Sequence, residues 1–127
     1  MILIVGGRDQ GKRAFACGLV PGLFESDFGD GRTETEENLL QARGLCHFES
    51  LVRRILSEGE KPADFVSAYL SAQPDAVILS DEIGSGIIPV DPFEEEWREM
   101  TGRLLCDLAQ KSSAFYRVTC GIGQRLK

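Results

Sequence analysis

The segment GGRDQGKR at residues 6–13 directly follows the apolar segment MILIV and has the spacing Gly-x-x-x-x-Gly-Lys. This spacing is typical of phosphate-binding loops, in which glycines let backbone N–H groups point at a phosphate and a catalytic lysine, here Lys12, neutralises its charge. A helix that starts at this lysine would add its N-terminal dipole. The sequence therefore predicts a nucleotide site made of Gly6, Gly7, Arg8, Asp9, Gln10, Gly11, Lys12 and Arg13. A plain glycine turn is the alternative.

Arg13 stands where a phosphate-binding loop normally has Ser or Thr, whose hydroxyl ligates Mg²⁺. A guanidinium has no acceptor atom and carries a positive charge, so it cannot ligate a cation. It can, however, donate two parallel N–H bonds to a phosphate. We therefore expect Arg13 to share charge neutralisation with Lys12, and nucleotide binding to depend less on Mg²⁺ than in hydroxyl-bearing loops.

A pair of acids ends the most apolar strand that the sequence predicts, AVILSDE at residues 76–82. In nucleotide-handling α/β proteins a carboxylate in this position holds Mg²⁺, which predicts Asp81 as a metal ligand. Glu82 is then a candidate catalytic residue that orients or deprotonates an acceptor, and Gly84 and Gly86 would let the backbone lie close to a bound group. The alternative is that the acids end a strand at the surface and the glycines form an ordinary turn.

His47 is the only histidine of the chain and is a candidate catalytic nucleophile or general base. A partly buried residue at the start of a helix is the alternative. The four cysteines, Cys17, Cys46, Cys106 and Cys120, are widely spaced and include no C-x-x-C pair. This spacing argues against a zinc site or a disulfide framework and predicts four buried, reduced thiols.

The chain of 127 residues is long enough for one domain, which we expect to span residues 1–127. Its formal charge of −6 argues against a nucleic-acid partner, because such binding requires neutralisation of phosphates. No apolar run approaches the roughly 20 residues that span a bilayer, and the N-terminus does not resemble a signal peptide, so we expect a cytoplasmic protein. The acidic stretch at residues 25–37 is expected to be a solvated loop.

Strands and helices alternate along the chain. The patterns predict strands at residues 1–5, 76–82 and 114–121, a helix at residues 12–19, and a loop or mobile lid at residues 22–38. Apolar residues at helical spacing predict two further helices, one from Phe48 and one from Pro62. This order indicates an α/β fold whose parallel sheet is covered on both faces and binds ligands at the carboxyl ends of its strands.

The longest predicted helix begins at DPFEEEW. Asp91 is a good N-cap and Glu94 would complete a capping box. Its buried stripe is predicted to consist of Phe93, Trp97, Met100, Leu104 and Leu108. The segment IGQRLK at residues 122–127 is expected to be a basic tail.

The sequence resembles the adenosylcobinamide kinase / adenosylcobinamide-phosphate guanylyltransferase family in four segments. DEIGSGIIP at residues 81–89 matches the family pattern [ND]-E-[VI]-G-x-G-[IV]-[IV]-P, and TGR at residues 101–103 matches its long helix. GIGQRLK at residues 121–127 matches its last segment, and GGRDQGK resembles its phosphate loop. The family segment D-E-M-x-x-R-I-x-x-H-x-x-x-R has only a partial counterpart in EENLLQARGLCH, where Arg43 and His47 are four residues apart, and the chain is shorter than the usual member.

The resemblance implies a P-loop NTPase-like three-layer fold with a small, mostly parallel sheet flanked by helices. It also implies a role in cobalamin biosynthesis or salvage, with GTP or ATP and Mg²⁺ as cofactors. Family members phosphorylate adenosylcobinamide and transfer GMP to that phosphate through a guanylylated histidine, and they form homo-oligomers, commonly trimers. We expect a transferase that acts on a nucleoside triphosphate and a cobinamide-type corrinoid. A non-catalytic nucleotide-binding protein on the same fold and a partner subunit without a nucleotide remain as alternatives.

Overall fold

The computed structural model describes residues 1–83 and 91–127. Gly84 and Gly86, and with them most of the family segment at residues 81–89, lie outside the described residues.

A six-stranded sheet forms the middle layer of the described structure, with the strand order β2-β3-β4-β1-β5-β6. Neighbouring strands from β2 through β5 pair in parallel, and β6 pairs antiparallel to β5. The α/β fold class with a mostly parallel sheet flanked by helices is therefore confirmed. The strands are β1 (Ile2–Gly6), β2 (Phe28–Asp30), β3 (Gly44–Cys46), β4 (Val77–Asp81), β5 (Ala114–Thr119) and β6 (Ile122–Arg125).

The helices that cover the sheet are α1 (Lys12–Leu19), α2 (Glu36–Leu40), α3 (Phe48–Ser57), α4 (Pro62–Ala72) and α5 (Pro92–Lys111). Along β1 the side chains alternate between two apolar cores because successive residues of a strand point to opposite faces. Leu3 and Val5 pack into the larger core with residues of α3, α4 and α5, and Ile4 packs with Ala16 of α1 into the smaller one. The central strands are thus buried on both faces, as expected for a parallel sheet.

The long helix α5 begins as the sequence predicts, with one difference. The Asp91 side chain accepts a hydrogen bond from the Phe93 N–H at 2.9 Å, which caps the helix. Glu94 does not close a capping box, because its carboxylate is paired with Arg53 of α3. Leu104 and Leu108 of the expected stripe are buried, whereas Phe93, Trp97 and Met100 are half-buried.

The expected loop at residues 22–38 is wrong. The segment contains a short 3₁₀ turn at Glu25–Asp27, strand β2 and the start of helix α2, whose N-cap Thr35 accepts a hydrogen bond from the Asn38 N–H. Within the acidic stretch Asp30 and Glu34 are half-buried, and the Glu34 carboxylate accepts a hydrogen bond from the Asp30 N–H. These elements have three to five residues each, which is too short to show a hydrophobic period.

Three further expectations need correction. Strand β3 was not predicted. The expected basic tail at residues 122–127 begins with strand β6 (Ile122–Arg125), which is joined to β5 by a turn in which Cys120 and Gly121 have positive φ. All four cysteines are free, but Cys106 and Cys120 are exposed and Cys17 is half-buried, so only Cys46 is a buried thiol. Among residues 1–83 and 91–127, no helix is long and apolar enough to cross a membrane.

A substitution at Gly6 tests the close approach of the end of β1 to β5. A Cβ at this residue would lie 2.5 Å from the Val118 carbonyl oxygen of β5, and this backbone atom cannot move aside without disturbing the sheet. We expect Gly6→Ala to lower the free energy of unfolding by about 1–3 kcal/mol in chemical denaturation. The matched control is Gly102→Ala in α5, where a Cβ would meet open space, and this variant should gain up to about 1 kcal/mol. Equal stability of Gly6→Ala and the wild type would contradict the close approach.

Candidate active site

The candidate site lies where the carboxyl ends of β1, β3 and β4 meet. Strands β1 and β4 are neighbours, and their register places Gly6 opposite Asp81. Because parallel strands carry their ligand sites at this edge, the loop after β1 and the acid that ends β4 come together. His47, which follows β3 directly, joins them at the same edge.

Lys12 organises the loop at residues 6–13. Its ammonium donates hydrogen bonds to the Gly7 carbonyl at 2.8 Å, to the Gly6 carbonyl at 3.3 Å and to Asp81 Oδ1 at 2.7 Å. The Lys12 and Asp81 side chains are only 10% and 19% exposed, so their ion pair is shielded from water. The Lys12 ammonium is therefore fixed inside the loop, next to Asp81 of the neighbouring strand.

The N-terminus of α1 has the features of an anion site. Its N-cap is Gly11 with φ 86°, a left-handed conformation that glycine adopts without strain. In the described structure no side chain caps the helix and no acid lies in its first turn, so its first N–H groups have no side-chain partner. Free N–H groups at a helix start favour phosphate.

Gln10 anchors the loop to the turn between β5 and β6. Its carbonyl accepts a hydrogen bond from the Gly121 N–H at 2.7 Å, and its Oε1 accepts one from the Cys120 N–H at 2.8 Å. Gln10 thus shapes the loop through these bonds, whereas the neighbouring Arg8 and Asp9 side chains are highly exposed.

Among the cavities that the described residues form at this edge of the sheet, two share His47 and Asp81. The first, which we call the loop cavity, has a volume of about 300 Å³ and is lined by residues 9–14 together with Glu25, Cys46, His47, Leu79 and Asp81. The second, the arginine cavity, has a volume of about 410 Å³ and is lined by Arg8, Arg32, His47, Glu49, Ser50, Arg53, Asp81, Glu82, Ile83 and Trp97. Volumes of this size are typical of small-molecule sites.

Arg13 lines the loop cavity beside Lys12. Its Nη2 lies 3.5 Å from the Cys46 sulfur, so the guanidinium reaches across the cavity from α1 toward the end of β3. Burial raises the pKa of the Cys46 thiol, which donates a hydrogen bond to the Gly29 carbonyl at 3.4 Å. Arg13 therefore faces a neutral thiol, and its donors can reach a bound anion.

His47 is the residue before α3 and has a left-handed backbone, with φ 55° and ψ 46°. Such a conformation costs a non-glycine residue on the order of 1 kcal/mol and is found at functional sites. Burial, with the charge of Arg32 second, lowers the pKa of His47, so the imidazole is neutral at neutral pH. The sequence left a helix-start residue as the alternative, and the structure shows a helix start that also lines both cavities.

Glu49 is one of the site residues that sequence reasoning missed, together with Arg32 and Arg53 of the arginine cavity described above. It is 4% exposed, its Oε1 lies 3.5 Å from His47 Nδ1, and its Oε2 has no hydrogen-bond partner among the residues that the structure describes. Burial, with the charge of Asp81 second, raises its pKa to about 7. The signal in the sequence was an acid two positions after His47 that borders the apolar stripe of α3.

The Glu82 carboxylate is engaged in an ion pair. Its carboxylate pairs with Arg117 of β5 through two contacts, Nε to Oε1 at 2.8 Å and Nη2 to Oε2 at 3.1 Å. Its backbone N–H donates to the Gly6 carbonyl at 3.0 Å, which supports the end of β1. Glu82 borders the arginine cavity, and action as a base would require release of this ion pair.

Trp97 of α5 lines the arginine cavity, and Arg53 lies close to two aromatic rings of this helix. The Arg53 guanidinium lies 5.0 Å from the Trp97 ring centroid and 5.3 Å from that of Phe93. The Trp97 indole N–H donates to the Glu49 carbonyl at 2.8 Å. Trp97 was predicted as a core residue, and it also holds the start of α3, which carries His47 and Glu49.

Comparison with known families gives one result. A family model described as cobinamide kinase / cobinamide phosphate guanyltransferase matches residues 38–126, more than half of the 127-residue chain. The matched region includes His47, Glu49, Asp81 and Glu82, and it begins after the phosphate loop. No curated protein matches the sequence.

Glu49→Gln tests the burial of the carboxylate. Because the folded state raises the pKa of Glu49 from its usual value of 4.5 to about 7, the folded chain holds this proton more tightly than the unfolded chain. The wild type should therefore lose stability as the pH rises between these two values, and Glu49→Gln should not. In EDTA at pH 8 we expect Glu49→Gln to be more stable by on the order of 2 kcal/mol, with the difference vanishing below about pH 4. Glu96→Gln, at an exposed position, is the control. A stability difference between Glu49→Gln and the wild type that does not change with pH would contradict the raised pKa of Glu49.

Proposed function

The chain belongs to the cobinamide kinase / cobinamide phosphate guanyltransferase family, and we propose that it phosphorylates the alcohol of a cobinamide-type corrinoid with a nucleoside triphosphate. The family acts on a nucleotide and on cobinamide in cobalamin biosynthesis. Transfer of GMP to the resulting phosphate is the second step of the proposal.

One observation carries the proposal: the Lys12–Asp81 ion pair lies where the loop cavity meets the arginine cavity. A triphosphate bound to the α1 N-terminus in the loop cavity would place its terminal phosphate at this pair. An acceptor in the arginine cavity would approach the same phosphate from the opposite side. Phosphoryl transfer requires this roughly in-line arrangement, and its catalysis is mostly positioning and charge stabilisation.

The cations of the loop supply that stabilisation. Lys12 would exchange its bonds to backbone carbonyls for bonds to the outer phosphates, and Arg13 would add two parallel donors beside it. The bond between the terminal phosphorus and its bridging oxygen breaks, the acceptor oxygen bonds to phosphorus, and the acceptor hydroxyl gives up its proton. Glu82 is the candidate base for this proton once it leaves Arg117.

Asp81 would hold Mg²⁺ in this scheme. Oxygen donors for such an ion lie on one wall: the Asp81 carboxylate and Glu49 Oε2, which has no hydrogen-bond partner among the described residues. Arg13 offers no ligand. When bound, the ion neutralises charge on the phosphates.

His47 supports the second step. Its imidazole is neutral, because its pKa is lowered by burial, and it lines both cavities, as a nucleophile for guanylyl transfer must. The arginines of the second cavity suit a phosphate-bearing acceptor.

The second candidate is a non-catalytic nucleotide-binding protein. Two observations favour it: Arg13 replaces the usual magnesium ligand, and Arg117 holds Glu82. This function predicts nucleotide binding without product.

A labelled-nucleotide assay with adenosylcobinamide separates the two candidates. We expect labelled ATP or GTP to yield phosphorylated corrinoid, and Lys12→Ala to lower the rate about 100-fold or more, because it removes a cation aimed at the transferred phosphate. Lys111→Ala, an exposed lysine of the last turn of α5, is the control and should retain full activity. Binding of nucleotide by the wild type without any product would support the non-catalytic candidate instead.

Arg13→Ser tests the departure from the usual loop. We expect the wild type to retain measurable GTP or ATP binding in EDTA, since Arg13 replaces part of the charge that Mg²⁺ would neutralise. Arg13→Ser restores the hydroxyl ligand and should make binding more dependent on Mg²⁺. Calorimetric titrations with Mg²⁺ and with EDTA measure both, and complete loss of wild-type binding in EDTA would count against this role of Arg13.

A further inference from the structure

The start of α3 and the end of β4 bring three metal-ligating side chains together. One ligand atom each from His47, Glu49 and Asp81 lies within 4.8 Å of the other two. His47 Nδ1 and Glu49 Oε1 are 3.5 Å apart. Ligand bonds of about 2.1 Å place neighbouring donors of a tetrahedral site about 3.4 Å apart, so the set can close on one ion through small side-chain movements.

The buried carboxylate of Glu49 is an independent indication of a ligand. Glu49 is 4% exposed, and its Oε2 has no hydrogen-bond partner in the described part of the chain. Buried acids are nearly always paired or coordinate a metal, because an unpaired buried acceptor is costly. The fold nevertheless keeps this acid at the floor of the arginine cavity, beside a histidine that is half-buried.

We propose that His47, Glu49 and Asp81 bind one divalent first-row transition-metal ion, which resides in the chain without nucleotide. The inference deepens the proposed metal role of Asp81 and rests on that site, but not on phosphoryl transfer. One imidazole nitrogen and two carboxylates suit Mn²⁺, Co²⁺ or Zn²⁺, whereas Mg²⁺ prefers oxygen ligands and retains water.

Lys12 links this ion to the nucleotide. Its ammonium occupies Asp81 Oδ1, which leaves the second oxygen of that carboxylate for the metal. When a triphosphate draws Lys12 to its outer phosphates, both oxygens of Asp81 are released. Nucleotide and metal should therefore bind more tightly together than separately.

Other candidate clusters are less suited. Asp30, Cys46 and His47 also lie close together, but Arg32 holds both oxygens of Asp30, and Cys46 is a neutral thiol that donates to Gly29. The group Glu36, Glu58 and Glu60 is a half-buried and exposed acidic cluster with no nitrogen donor.

The assignment also separates the two ring nitrogens of His47. With Nδ1 on the metal, the neutral ring carries its proton on Nε2, so attack by Nε2 in guanylyl transfer would require loss of that proton. The metal would fix the ring orientation, as a ligand bond fixes the tautomer.

Cobalt binding tests the inference on the whole chain, stripped with EDTA and assayed without nucleotide. Co²⁺ is the probe because its absorption distinguishes oxygen and nitrogen ligands from thiolates. We expect one Co²⁺ per chain with an oxygen- and nitrogen-type spectrum, tighter than Mg²⁺, and at least tenfold weaker binding in Glu49→Gln. Glu96→Gln should bind as the wild type does.

His47→Gln provides a second variant in case Glu49→Gln does not fold, which thermal unfolding in EDTA shows. It should also weaken Co²⁺ binding at least tenfold. Absence of binding at millimolar Co²⁺, a thiolate charge-transfer band, or unchanged affinity in the folded variants would each overturn the proposal. The corrinoid assay is run separately, so a failure of metal binding and a failure of phosphoryl transfer are read independently.

Discussion

The contact between Lys12 and Asp81 is the interaction on which the candidate site depends. It exists because β1 and β4 are parallel neighbours in a register that sets Gly6 beside Asp81. The lysine begins α1, so one side chain ties the first helix, the loop and the fourth strand together. Any shift of that register would move the acid away from the loop and separate the two cavities, since a one-residue slip also reverses which face each side chain meets.

Charges of both signs lie close together around this partly buried pair. Lys12 and Arg13 face Asp81 from the loop side, and the buried Glu49 lies behind Asp81 next to a neutral His47. Two acids this close disfavour full ionisation of both, which is why the charge of Asp81 adds to burial in raising the pKa of Glu49. A bound cation would relieve this repulsion, and a bound triphosphate would use the positive charge on the loop side.

The sequence predicted the elements whose side chains repeat with a clear period or form a continuous apolar run. Helix α3 shows its stripe of Phe48, Leu51, Val52 and Ile55, and β4 reads as an apolar run, so both were found. Strands β2 and β3 have three residues each, and β6 is a mostly exposed edge strand, so none shows a hydrophobic period in the sequence. Their existence follows from pairing with distant strands, which single-sequence periodicity does not record.

The residues of the candidate site also divide into those that the sequence could predict and those that it could not. Lys12 and Asp81 could be identified because each belongs to a local motif, a glycine-rich loop and the end of an apolar strand. Glu49 could not, because its importance comes from its burial and its position near Asp81, at the end of a strand distant in sequence. Arg32 and Arg53 become site residues only because β2 and α3 bring them to one cavity.

Arg13, in place of the usual Ser or Thr, and the buried Glu49 are both consistent with metal ligands on the β4 side of the site instead of the α1 side. A loop with Ser or Thr at residue 13 would supply a metal ligand from the α1 side. Arg13 removes that ligand and adds positive charge there, so a cation is better placed on the opposite wall. That wall is formed by β4 and the start of α3, where His47, Glu49 and Asp81 converge. The metal ligands would thus lie on the β4 and α3 side of the site, where Asp81 also contacts Lys12, and the terminal phosphate would lie beside this pair.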